Sequence, residues 1–219
     1  MIFGENPREG FMDGNVFKHP DMRIQVEFPT GFQVENTRRA VYAGSGDSAF
    51  QLTLSRVSGE VSPSAHGSQL FQRAGLEVGR GQSLTIGGFA AFVAPFRARS
   101  ANFSIEGEAA FIRDGQTMFE LFAYTSADRY PQKRGTLLDI LSSFSRLRDP
   151  RALDAEPQRI RVYRVPRATS AKQALRASGV VADQLEQLAL MNHLLLEDRV
   201  AAGTLLKTVT RPAVPIATQ

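Results

Sequence analysis

Residues 103 to 124 constrain this chain more than any other stretch. Two apolar-rich runs, 103 to 112 and 117 to 124, stand on either side of Asp114-Gly115. A period of two puts successive side chains on opposite faces of a strand, and Asp-Gly is a preferred tip for a tight hairpin. An antiparallel hairpin is therefore expected. The same signals recur on either side of it. Ile24, Val26 and Phe28 alternate with Arg23, Gln25 and Glu27 until Pro29-Thr30-Gly31 ends the run, and further strands are expected at 32–34, 40–43 and through Phe50, Leu52 and Leu54. Gly87-Gly88 turns a hairpin between 84–86 and 89–98. Two helices interrupt the strands. One begins at Ser62-Pro63-Ser64, with Leu70, Phe71 and Ala74 on one face, and is broken by glycine at 79; the other opens at Tyr130-Pro131 and carries Leu137, Leu138, Ile140 and Leu141.

These elements predict an α+β domain over 23–148, an antiparallel sheet with helices packed on it, preceded by an extended arm at 1–22. An Arg-rich linker is expected at 149–159. Beyond it the order strand, helix, helix, strand predicts a small βααβ module over 160–210, with a tail at 211–219. The whole is long enough for one domain of about 150 residues and a smaller one.

Composition excludes several classes of function. With 42% hydrophobic and 22% charged residues, the chain lies in the range of folded domains. The formal net charge of +4 comes from basic residues spread along the sequence without interleaved aromatics, which argues against nucleic acid. The stretch from Arg146 to Arg167 concentrates seven arginines and reads as a solvated linker. Cysteine is absent, so there is no disulfide framework and no thiolate chemistry. No apolar run approaches the roughly 18 residues of a membrane span, and the first ten residues do not read as a signal peptide.

No catalytic constellation emerges. His19 precedes Pro20 and fits a turn; His66 lies in a helix; His193 and Glu197 have the i, i+4 spacing of two helical metal ligands, but zinc takes at least three from a protein. Glu106 and Glu108 share a strand face, and register through Asp114-Gly115 sets Glu120 opposite Ala109 on the other face, so the three carboxylates do not converge. Glu106 and Glu108 are expected at the wet edge of the sheet. There is no nucleophile elbow, and Gly79-Arg80-Gly81 lacks the residues of a phosphate loop. The chain reads as no enzyme, with catalytic and metal residues none. The opposing expectation is an enzyme whose site converges from distant loops on His66, His19 or Glu120.

The residues also carry a likeness. Asn6-Pro7-Arg8-Glu9-Gly10-Phe11, Gly14, Phe17, His19-Pro20, Phe28-Pro29-Thr30-Gly31-Phe32, Asn36-Thr37 and Ala40-Val41 resemble the segment that follows the catalytic domain in exported bacterial zinc metalloproteases related to the CAAX prenyl endopeptidases. Ile86-Gly87-Gly88-Phe89-Ala90-Ala91 and Ser143-Phe144-Ser145-Arg146-Leu147 continue it. The resemblance implies a PsbP-like first domain. It also implies an accessory role beside a His-Glu-x-x-His module that holds the zinc, that module as partner, no cofactor in this chain, and the periplasm or cell envelope as its place. The C-terminal module resembles a LysM domain, with Asn192-His193-Leu194 and Ala202-Gly203-Thr204-Leu205-Leu206-Lys207 where that fold has its signatures. That likeness implies a glycan-facing turn at Thr169 and Asn192, with peptidoglycan as a possible ligand and envelope proteins as further partners. Pro166-Arg167-Ala168-Thr169 lacks the Gly and Asp of that turn, so a packing role is expected ahead of glycan binding, with Thr169 kept as a helix N-cap.

Overall fold

The hairpin around Asp114 forms the middle of an eight-stranded antiparallel sheet. The computed structural model describes residues 1–4, 6–37, 39–100 and 103–210, which divide into two compact units: Glu9–Asp149, and Met1–Arg8 together with the chain from Pro150 onward. The expected tail at 211–219 lies outside the described residues. In the larger unit the chain runs β1 (Phe11–Asp13), β2 (Val16–His19), β3 (Ile24–Glu27), β4 (Gln33–Asn36), β5 (Val41–Ser45), β6 (Ser48–Arg56) and α1 (Pro63–Ala74). It continues through β7 (Glu77–Val78), β8 (Gln82–Ile86), β9 (Phe89–Arg99), β10 (Ser104–Asp114), β11 (Thr117–Ser126), α2 (Tyr130–Ser142) and β12 (Ser145–Arg146). The large sheet has the order β4-β5-β6-β11-β10-β9-β7, with β8 also on β9, and β1-β2-β3-β12 make a second sheet.

Alternation assigns the two faces. Ala110, Ile112, Phe119, Leu121 and Ala123 point to one, where α2 brings Leu137, Ile140 and Leu141 and the small sheet brings Phe17, Ile24, Val26 and Phe28. Ala109, Phe111, Met118, Phe122 and Tyr124 point to the other, where Phe71 of α1 meets Phe111 edge-on at 5.3 Å between centroids. Both faces of the sheet are thus covered. The small sheet is pinned where Gly87, at φ 56, passes Phe144: a Cβ there would lie 2.3 Å from the Phe144 carbonyl oxygen.

Several expectations are corrected. Residues 1–22 are not a plain arm, since 11–19 form the β1–β2 hairpin and Met1–Arg8 belongs to the smaller unit, where the Ile160 N–H donates to the Met1 carbonyl at 3.0 Å. Strands of three and four residues are too short to show a period. Helix α1 ends at Gly75, whose N–H bonds the Phe71 and Gln72 carbonyls, four residues before the expected break, and Ala74 is exposed. The chain returns after α2 as β12, antiparallel to β3. In the central hairpin Asp114 pairs with Thr117, so Glu120 stands opposite Phe111 and not Ala109; the shift of two residues keeps it on the face away from Glu108.

The expected linker at 149–159 is also structured. It contains α3 (Pro150–Leu153), and Ala152, Ala155 and Gln158 are buried. Small apolar side chains suffice for this, so arginine content misled. The smaller unit continues through β13 (Ile160–Arg164), β14 (Thr169–Ser170), α4 (Ala171–Ala177), α5 (Leu185–Met191), β15 (Arg199–Val200) and β16 (Leu205–Val209). Strand β13 pairs with β16 and β14 with β15, all antiparallel, around Val165, Leu175, Leu188 and Leu206.

Candidate functional site

Glu120 is a buried carboxylate held by three side chains. Its Oε1 lies 2.7 Å from His66 Nε2 and accepts from Ser55 Oγ at 2.5 Å, while Oε2 accepts from Thr53 Oγ1 at 3.0 Å. Each partner is placed by its element. Thr53 and Ser55 alternate on β6, which pairs with β11 so that Glu120 faces Thr53. His66 occupies the first turn of α1, with Ser62 as N-cap, and its backbone N–H bonds the Ser62 carbonyl at 3.0 Å. Gly67 lets the helix settle: a Cβ there would stand 2.7 Å from the Phe111 ring. His66 and Glu120 are both buried. A buried carboxylate with three donors is a satisfied structural group. The acyl-transfer arrangement is different, because there the serine hydroxyl bonds the histidine, and here Ser55 bonds the carboxylate.

Glu108 is the counterpart on the opposite face. It is 1% exposed, which overturns the expected wet edge, since α2 covers that face of the sheet. Its Oε1 accepts from the Tyr130 hydroxyl at 2.6 Å and from Arg134 Nε at 2.7 Å. Burial, and then the bond to Glu108, push the Tyr130 hydroxyl up to about 12, so it stays protonated as a donor. The Arg134 pKa is raised by its bonds to Tyr130 and Glu108. Glu106 pairs with Arg97 of β9.

A cleft of about 760 Å³ opens in the larger unit, lined by Met22, Val41, Leu52 and Leu54, by Thr53 beside Glu120, and by Glu9, His19, Asp21 and Arg39. His19 Nδ1 accepts from the Met22 N–H at 3.3 Å, which leaves the other ring nitrogen to carry the proton of the neutral ring. Burial holds its pKa below the ordinary 6.5 against the opposing pull of Asp21 and Glu9. His66 and Glu120 are not among the lining residues of this cleft. Of the three alternatives for an acid/base group, His66 and Glu120 bond each other, and His19 lines the cleft.

The remaining candidates are dispersed. His193 and Glu197 follow the end of α5 at Met191, are exposed, and do not share a helix; His193 has φ 59. Among the described residues no three His, Asp or Glu side chains gather as metal ligands. The N-cap of α4 is Ser170, whose Oγ accepts from the Gln173 N–H at 3.3 Å, and not Thr169, whose hydroxyl bonds the Gln173 side chain. Asn192 caps α5: its amide donates to the Leu188 and Lys207 carbonyls at 2.8 Å each and accepts from the Lys207 N–H at 2.7 Å. What sequence reasoning missed is Thr53, Ser55, Tyr130 and Arg134. The one available signal was the spacing Tyr130 to Arg134, four apart on a helix.

No family model matches the chain, and no curated protein matches it. Among solved structures, the cyanobacterial PsbP (CyanoP) from Synechocystis sp. PCC 6803 is similar with a TM-score of 0.51 at 10% identity, over 60% of this chain and 91% of that one. The Ran-binding protein Mog1p of Saccharomyces cerevisiae has a TM-score of 0.47 at 11% identity, over 62% and 96% of the two chains. LpqN of Mycobacterium tuberculosis, described as involved in cell envelope biogenesis, has 0.40 at 15%, over 56% and 82%. Identities this low speak to shape alone. The larger unit is α+β, mostly antiparallel sheet, and has the PsbP-like fold.

Proposed function

We propose that this chain is a non-catalytic accessory region that positions or regulates a cell-envelope zinc metalloprotease or binds its partners. One observation carries the reading: the residues of the protease-region likeness are those on which the small sheet depends. Gly10, at φ 121, leaves room for the Phe17 ring, which a Cβ would meet at 2.4 Å. Asn36 donates to the Glu9 carbonyl at 2.6 Å, Phe28 stacks on Phe32 at 5.9 Å, and Ser143 Oγ accepts from the Glu27 N–H at 2.9 Å. Arg146 lies 4.7 Å over the Phe89 ring. A likeness made of packing residues supports a shared scaffold, and a scaffold whose buried carboxylates are bonded internally suits support better than chemistry.

In this reading the zinc belongs to a separate His-Glu-x-x-His module, and the smaller unit is a LysM-like variant in which the two helices lie between β13-β14 and β15-β16, two strands on each side where the sequence predicts one. Its Asn192 spends its amide on α5 and β16, which favours packing over glycan contact. The experiment is removal of residues 1–219 from the parent protease. Hydrolysis of a short unstructured peptide should persist, and cleavage of a folded envelope substrate should fall. Equal loss of both would make the region part of the catalytic unit and overturn the reading.

A further inference from the structure

Strand β8 is an edge of the large sheet. It pairs with β9 from Gln82 opposite Val93 to Ile86 opposite Phe89, and with no other strand among the described residues. Gln82, Ser83, Leu84 and Thr85 are all exposed, and the chain around them is accounted for, since residues 39–100 are described without a gap. The turn fixes which backbone groups face outward. Gly87 and Gly88 form a two-residue loop with φ 56 and 89, which makes Ile86 and Phe89 the closing hydrogen-bonded pair. The backbone groups of Gln82, Leu84 and Ile86 therefore face β9, and those of Ser83 and Thr85 face away from it. These outward groups bond no described residue. Natural sheet edges are blunted by charge, proline or a bulge. Gln82-Ser83-Leu84-Thr85-Ile86 has neither charge nor proline, and its pairing with β9 runs without a bulge.

We propose that β8 pairs antiparallel with β8 of a second copy of this chain, joining two large sheets across a two-fold axis at Leu84. A second copy fits this edge because the strand is complementary to itself. With Leu84 opposite Leu84, Ser83 falls opposite Thr85 and Gln82 opposite Ile86, and no charged side chain enters the register. Ser83 and Thr85 carry the outward backbone groups, so each Ser83–Thr85 pair exchanges both main-chain hydrogen bonds. The Leu84 pair is then of the closely spaced kind, about 4.5 Å between Cα atoms, and each leucine covers the other. In the single chain Leu84 is 38% exposed. A strand of five residues on each side buries far less than the roughly 1,600 Å² of a standard interface, so the dimer is weak. The pairing goes beyond the accessory role and does not depend on it.

The test is sedimentation velocity on the full chain from about 10 μM to about 1 mM, the range in which so small an interface populates. A monomer–dimer equilibrium is expected and nothing larger, since a two-fold contact closes on itself. Leu84→Lys sets two cations face to face at the axis and should abolish the dimer, and Leu84→Glu should do the same with two anions. An equimolar mixture of these two variants should restore it, because residue 84 meets residue 84; a change that merely damaged the fold would not be rescued in this way. Thr85→Pro removes a donor that only the second copy uses, twice by symmetry, and should weaken the dimer about tenfold or more while the chain stays folded. A monomer throughout the range, assembly beyond the dimer, a dimer indifferent to the Leu84 variants, or a mixture that stays monomeric would each overturn the proposal.

Discussion

Glu120 shows how much can rest on one side chain. Removing it leaves the Thr53 and Ser55 hydroxyls and the buried His66 ring without their acceptor. Breaking a buried pair from one side costs more than the pair contributes, so Glu120→Ala should destabilise the protein by about 3 kcal/mol. A fall in the urea midpoint at unchanged slope would register this. Combined with His66→Ala, the loss should be less than the sum of the two single changes, because both remove one contact. A fully additive pair would mean that the contact is not made. His19 gives a second prediction. Its folded pKa is below 6.5, so the unfolded chain takes up the proton first as the pH falls. The stability it contributes is whole above 6.5 and is lost as pH drops toward the depressed folded value. His19→Asn keeps an acceptor for the Met22 N–H but cannot titrate. Between pH 7 and 5 the wild type should therefore lose stability relative to that variant; a relative gain on acidification would contradict the assignment.

Elements were more legible than their partners. The Gly87-Gly88 and Asp114-Gly115 turns located the two long hairpins, and Ser62-Pro63 located the start of α1, because these signals are local. Which strands lie side by side is not local. His66, Ser55 and Thr53 stand 54, 65 and 67 residues from Glu120, and only the β6–β11 register brings them to it. Glu108 looked wet because a carboxylate in an alternating strand ordinarily faces solvent. It is buried because α2 supplies Tyr130 and Arg134 at the one place where it needs donors. Short strands and small buried side chains escaped for another reason. β1, β2 and β12 have two to four residues, and Ala152 and Ala155 bury too little surface to give a periodic signal.

At the scale of the molecule, two units each close their own core, and the internal accounting of polar groups is nearly complete. Among the described residues the one buried side-chain oxygen without a hydrogen bond is Thr208 Oγ1, in the smaller unit. Here the buried carboxylates Glu108 and Glu120 are bonded to their own scaffold, and the open cleft is lined by other residues. The central claim, that the chain supports chemistry carried out elsewhere, is tested most directly by metal analysis and hydrolysis on one purified sample. After dialysis against zinc, the chain should retain no stoichiometric metal and should release no fragments from an unfolded protein substrate. One tightly held zinc per chain, together with hydrolysis that disappears in a folded His66→Ala or His19→Asn variant, would contradict it.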